Sequence, residues 1–221
     1  IQAQTTNKVH FGGNPAALKE VPLNSHPNRT NLTTEIPLLQ KANDYIIAGY
    51  TKLISRNPYN TYAYFSRALI KSRLNDELGA IADYDEIIKR EKIVYHHSFL
   101  MATVYNNKGY SLIGLGRLDE ALPFIEKALK MAPQEDYIWG ARGIYHFKKG
   151  DYRACIEDMT KSIQLTKKSL ARNQAPALRY YFMGLAKIKL GQKEEGCRDL
   201  SKSGKMGNKD AYKAIEEHCG K

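Results

Sequence analysis

Residues 116–133 read GRLDEALPFIEKALKMAP. A glycine precedes a helical run and a proline closes it. The stretch is the second half of a unit, Ala102–Glu135, that recurs at once as Asp136–Ser169. Tyr105 matches Trp139, Gly109 matches Gly143, and Gly116 matches Gly150. Leu118, Ala121 and Leu122 match Tyr152, Cys155 and Ile156. A fixed period of about 20–50 residues marks a solenoid, in which each unit buries its apolar face on its neighbours.

Weaker units flank this pair. Thr61–Val94 carries Tyr64, Ala68, Ala80, Tyr84 and Ile87 at the packing phases, with Arg67 and Lys71 among them. Ala177–Asn208 carries Tyr180, Gly184, Gly191 and Leu200. Residues 35–60 supply one helix of a degenerate first unit, stopped at Asn57-Pro58 because the residue before proline avoids helical torsions. Residues 209–219 read as a single capping helix with Ala211, Tyr212, Ile215 and Cys219 inward. Insertions of about seven residues follow Val94 and Ser169, each able to extend a helix or form a loop. Residues 1–34 show no sustained period and hold Gly12-Gly13, Asn14-Pro15, Val21-Pro22 and His26-Pro27, which are turn or extended signals.

Two phases carry the architecture. The turn between paired helices holds Asn75, Gly116, Gly150 and Gly191, residues that tolerate positive φ. The eighth phase holds Ala68, Gly109, Gly143 and Gly184, opposite Ala80, Ala121, Cys155 and Gly196. Mid-helix glycine costs up to ~1 kcal/mol relative to alanine, so its recurrence requires a packing reason. Small against small brings the helix axes close, with Tyr84, Ile125, Met159 and Leu200 filling the seam above.

These residues make the chain resemble the tetratricopeptide repeat family over about residues 37–219. The resemblance implies an all-α, right-handed superhelical solenoid of helix-turn-helix repeats spanning 35–219. It also implies that the first helices line a concave face that grips an extended peptide or a partner helix. The matching positions are Tyr62, Phe65, Leu69, Arg73, Asn106, Tyr110, Tyr137, Phe147, Lys148, Tyr181, Leu185 and Lys189. They form an aromatic and apolar strip with basic edges, the composition of an interaction surface. The competing reading packs them against neighbouring units or the N-terminal segment. The family's carboxylate clamp is not expected, since Tyr137 and Ala141 stand where basic residues would be and Asn107 alone fits.

Composition narrows the function further. A formal charge of +11 favours an anionic partner or serves solubility alone. The expected ligand is an apolar or aromatic protein segment with acidic flanks. The segment 1–34 could occupy the groove itself through Phe11, Leu18, Val21 and Leu23. A basic helical-repeat nucleic-acid binder is the second reading. Against it, Lys and Arg do not recur at one phase in every unit. No catalytic grouping, cofactor motif or metal spacing is present, so a non-enzymatic scaffold is expected. The acidic residues read as solvated helix faces. No apolar run approaches the ~20 residues needed to cross a bilayer.

Cys155 occupies a small packing phase and is expected to be buried. Cys197 and Cys219 fall on successive helices, within reach of a disulfide or as two free thiols. The opening IQAQTT resembles the end of a bacterial secretory signal, with Ala3 at the small-residue position. A periplasmic or secreted location and a role in envelope assembly are the expectation, with a cytoplasmic location as the alternative.

Overall fold

In the computed structural model of the protein, residues 36–90, 98–168 and 176–220 are described. The N-terminal segment 1–34 lies outside them, so its proposed seat in the groove does too. Residues 91–97 and 169–175 also lie outside. Ten α-helices follow one another, and no strand occurs among the described residues.

Helix α1 spans Ile36–Arg56. Four helix pairs come next: α2 Thr61–Arg73 with α3 Glu77–Lys89, then α4 Ser98–Gly114 with α5 Leu118–Met131. The third pair is α6 Asp136–Lys149 with α7 Tyr152–Lys168, and the fourth is α8 Ala177–Lys189 with α9 Lys193–Lys205. Helix α10, Asp210–Cys219, closes the stack. Part of the first insertion is settled: Ser98–Met101 lengthen α4 at its N-terminus.

The pairs turn at one kind of residue. Asn75, Gly116, Gly150 and Gly191 adopt φ of 63°, 74°, 84° and 81°. This left-handed conformation crowds a Cβ, which is why three of the four are glycine and the fourth is asparagine. Side chains cap three of the helix starts, two of them directly after these turn residues. Asn60 accepts from Ala63 N at 3.0 Å, Asp76 from Gly79 N at 2.9 Å, and Asp151 from Ala154 N at 3.1 Å. Each satisfies a donor that the helix cannot pair internally.

The small-residue seam is tight. A Cβ added at Gly109 would lie 2.5 Å from Ile125 Cγ1, and one at Gly143 2.8 Å from Met159 Cε. At Gly184 it would lie 2.8 Å from the Gly196 carbonyl oxygen, a backbone atom. Above the seam Tyr84, Ile125, Met159 and Leu200 are fully enclosed. Burying each apolar side chain of this size contributes roughly 1.5–3 kcal/mol. Cys155 is buried among them, and burial pushes its thiol up to about 12, with Asp158 and Asp151 adding to the shift.

Two expectations are corrected. Asp83, Asp158 and Asp199 are not solvated: each is 3–4% exposed. They occupy one phase of the second helices and meet cations of the first. Arg67 and Lys71 pair with Asp83 at 2.6 and 3.0 Å, so these residues, which look like defects in the sequence, complete a buried ion pair. Arg142 pairs with Asp158 at 2.7 Å, and Lys187 with Asp199 at 2.7 Å. Tyr212 is 53% exposed rather than inward. The helical period of α10 turns Ala211 and Ala214 to the stack, and the Tyr212 ring lies over Gly204 instead.

Cys197 in α9 and Cys219 in α10 are joined as a disulfide with Cα atoms 5.8 Å apart. It ties the capping helix to the last repeat.

Candidate protein-binding face

The solenoid has an inner wall because one set of helices crowds together. Helix α4 packs on α6, α6 on α8, and α8 on α10, besides each helix's contacts within its own pair. No pair of successive second helices makes comparable contact among the described residues. Helices α4, α6 and α8 therefore follow the shorter arc and form the concave side.

The twelve sequence-derived positions divide on this wall. Phe65 and Asn106 belong to the core, at 6% and 2% exposure. Phe65 packs tilted on Tyr84, with ring centroids 6.4 Å apart. Asn106 donates from Nδ2 to Asn107 Oδ1 at 3.1 Å. Neither presents a side chain to solvent; their phase turns inward where neighbouring units stack. Leu69, Tyr110, Tyr137, Phe147, Tyr181 and Leu185 are half-buried. Tyr62, Arg73, Lys148 and Lys189 are exposed.

The half-buried group is organised by contacts across units. Tyr137 and Thr103 share a hydrogen bond between hydroxyls at 2.9 Å, joining α6 to α4. Phe147 meets Phe182 edge-on at 5.2 Å, and Phe182 meets Tyr181 at 5.4 Å. Such ring pairs hold aromatic faces in fixed orientation. Burial pushes the Tyr110 hydroxyl up to about 12, with Glu77 adding to the shift, and burial raises Tyr137 as well. Both stay neutral at any physiological pH. Arg73, Lys148 and Lys189 stand in the last turns of α2, α6 and α8, at the same phase. None of the three is held in an ion pair among the described residues.

Between these helices lies a concavity lined by Asn106, Tyr110, Tyr137, Gly140, Ala141, Ile144, Met159, Leu178 and Arg179. Its free volume is ≈ 20 Å³, room for a water-sized group and far below a drug-sized site.

Arg179 is the residue that sequence reasoning missed. It is 3% exposed. Its Nε donates to Ser162 Oγ at 2.5 Å and its Nη2 to Asp136 Oδ2 at 2.9 Å. Ser162 donates onward to the Asp136 carbonyl at 2.5 Å, and Thr166 Oγ1 donates to Asp136 Oδ2 at 2.5 Å. Burial lowers the Arg179 pKa, opposed by Asp136. Gly140 lies beside it: a Cβ there would stand at ordinary contact distance, 3.6 Å, from Arg179 Nε. The available signal was the phase, since Ala63, Val104 and Ile138 occupy it in the other units.

No group of three or more metal-ligating side chains occurs among the described residues. No described helix is long and apolar enough to cross a membrane.

Residues 102–135 match the family model of the tetratricopeptide repeat. Four helix pairs share the phase of that unit, and the fold is that of a tetratricopeptide-repeat solenoid. A TPR repeat-containing protein of Methanocaldococcus jannaschii is 28% identical over 109 residues, 49% of this chain and 18% of that protein. A TPR repeat-containing thioredoxin of Arabidopsis thaliana is 30% identical over 100 residues, 45% of this chain and 24% of that protein. The likeness thus spans a quarter or less of those relatives. Among solved structures, MamA of Desulfovibrio magneticus RS-1 superposes with a TM-score of 0.58 at 15% identity, covering 76% of this chain and 88% of that one. A thermophilic tetratricopeptide repeat protein of Thermus thermophilus gives 0.57 at 14% identity, covering 83% and 94%. At these identities the likeness is one of fold. The fold is that of a protein–protein interaction scaffold in general.

Proposed function

We propose that the concave wall of first helices binds an extended segment of a partner protein, apolar or aromatic at its centre and acidic at its flanks. The observation that carries this is the stack of α4, α6 and α8, which sets half-buried aromatic rings side by side and leaves cations on one edge. Rigid aromatic anchors supply contact area at little entropic cost, and charges at the rim steer the approach of an acidic partner. Arg73, Lys148 and Lys189 are available for that steering.

The distribution of cations favours a protein partner over nucleic acid. Arg67, Lys71, Lys108, Arg142, Arg179 and Lys187 are engaged with Asp side chains of the same chain. They do not form a continuous track for phosphates. The Cys197–Cys219 disulfide supports an oxidising compartment, hence a periplasmic or secreted assembly factor. In the same scheme the segment 1–34 competes with the partner, and deleting residues 1–30 raises partner affinity.

A random peptide library selected on the intact chain tests the reading. Selected peptides are expected to carry aromatic or aliphatic centres beside Asp or Glu. Their affinity should fall modestly between low and moderate salt, unlike the steep fall of a phosphate-contacting complex. Failure to select any peptide, with tight salt-sensitive binding of RNA or DNA, would overturn it.

A further inference from the structure

The two ends of the stack are finished differently. At the C-terminal end α10 turns Ala211 and Ala214 inward and presents Lys213, Glu216 and Glu217 to solvent, the polar cap that an array of repeats requires. At the N-terminal end α1 packs on α2, half-burying Ile47, Tyr50 and Ile54. No other helix makes comparable contact with α1 among the described residues. A second side of α1 stays open. Ile46 is 43% exposed, Leu53 44% and Tyr45 82%, and a Cβ built on Gly49 would meet no atom within 4 Å. At the phases of Ile46 and Leu53 the later second helices carry Ala80 and Ile87, then Ala121 and Ala128. All four are at 0% exposure, covered by the first helix of their own unit. Helix α1 thus offers the seat of a first helix, and the described residues contain none to fill it.

We propose that a second copy of this chain covers this seat, α1 pairing antiparallel with α1 of that copy about a two-fold axis at Gly49.

The open stripe is its own complement. At about 100° per residue, Ala42, Gly49 and Arg56 run down its middle, Ile46 and Leu53 lie to one side, and Tyr45 and Lys52 lie to the other. A two-fold axis across the stripe sets each side against itself in reverse order. Ile46 of each copy then meets Leu53 of the other, apolar on apolar. Lys52 of each copy meets Tyr45 of the other, a cation on a ring face. A parallel pair would set Lys52 against Leu53 and lose both matches. Gly49 at the crossing lets the axes approach, as the seam glycines do.

Other occupants fit less well. Gly12-Gly13, Pro15, Pro22 and Pro27 leave residues 1–35 no unbroken run to match the 13 residues of the first helix α2. Head-to-tail stacking finds no such stripe on α10, whose outward residues are the charged ones above. One helix pair buries less than the ~800 Å² per partner of a standard interface, so the dimer is expected to be weak, with Kd ~10–100 µM. Lys41 of each copy falls near Arg56 of the other, so salt should tighten the pair. The pairing stands without the groove reading; with it, the dimer presents two walls and gains avidity for a partner carrying two segments.

Sedimentation equilibrium of the full chain from about 5 to 500 µM tests the pairing. A monomer–dimer equilibrium that tightens from low to moderate salt is expected. Ile46→Glu and Leu53→Glu, each with helix content unchanged by circular dichroism, should weaken it at least ~tenfold. Gly49→Cys should form a disulfide-linked dimer under mild oxidation, and Ser55→Cys, off the stripe, should not. A monomer at every concentration overturns the proposal; dimers appearing only after deletion of residues 1–30 do so too, and assign the seat to that segment. Dimers that survive Ile46→Glu place the interface elsewhere and overturn it. Cross-linking at Ser55→Cys but not at Gly49→Cys, or a dimer that loosens with salt, overturns it as well.

Discussion

Arg142 grips both carboxylate oxygens of Asp158, at 2.8 and 2.7 Å, as Arg67 grips Asp83 at 2.9 and 2.6 Å two units earlier. The unit between them departs from this pattern. Phe124 replaces the aspartate, Lys108 Nζ sits 3.9 Å from the Phe124 ring centre, and Leu112 is buried where Lys71 and His146 stand in the flanking units. The first-helix cation at this phase thus lies against a carboxylate in two units and against an aromatic ring in the one between them. Removing a single partner leaves a buried charge unpaired, whereas exchanging both partners does not. Asp158→Ala is expected to lower stability by about 2–4 kcal/mol. Asp158→Phe combined with Arg142→Leu should cost clearly less than the sum of the single changes, measured by urea denaturation in a double-mutant cycle.

The seam glycines should rank by what their added methyl meets. At Gly143 the nearest atom is the end of Met159, a flexible side chain that can turn aside. Gly143→Ala is therefore expected near neutral, the clash offset by up to ~1 kcal/mol of helix propensity. At Gly184 the nearest atom is a backbone oxygen at 2.8 Å. Gly184→Ala should cost roughly 1–3 kcal/mol, and Gly143→Leu at least as much. Thermal melts of the three variants check the order.

Most of this seam was legible because its requirements are local. Asn75 and the three turn glycines announce a left-handed residue from one position alone. The buried aspartates were not legible, because their meaning lies in a partner twelve or sixteen residues away and the middle unit puts Phe124 in the aspartate's place. Arg179 was hidden for a related reason: its partners Ser162 and Asp136 lie 17 and 43 residues away in the sequence. Of the candidate wall, Phe65 and Asn106 were misplaced because helical phase gives a direction, not the tightness with which neighbouring units close over it.

Reduction should release the cap. The disulfide closes a loop with a sequence separation of 22, worth ~3 kcal/mol in the chain-entropy model. The fully buried residues of α10 are Ala211 and Ala214, which offer little apolar area to hold it. Hydrogen exchange in residues 210–219 is expected to accelerate strongly on reduction while α4–α7 stay protected. Unchanged protection of α10 would contradict this.

The fold should weaken in alkali. Tyr110 titrates at an ordinary 10.0 when unfolded and about 12 when folded; Cys155 moves from 9.0 to about 12. A raised folded pKa gives stability that is full below the unfolded value and lost as pH climbs through the folded one. Stability should therefore decline from about pH 9 upward, and Tyr110→Phe should move the alkaline midpoint higher. At pH 8 native Cys155 should resist alkylation and react only after denaturation, as read by mass.

The central claim is that the wall of first helices is where another protein lies. A library-selected peptide carrying a photo-reactive side chain at its centre tests this most directly, with cross-links mapped by mass spectrometry. Cross-links are expected on α4, α6 and α8, concentrated at Tyr110, Phe147, Lys148 and Tyr181. Cross-links confined to α3, α5, α7 and α9 would place the ligand on the outer surface and contradict the account.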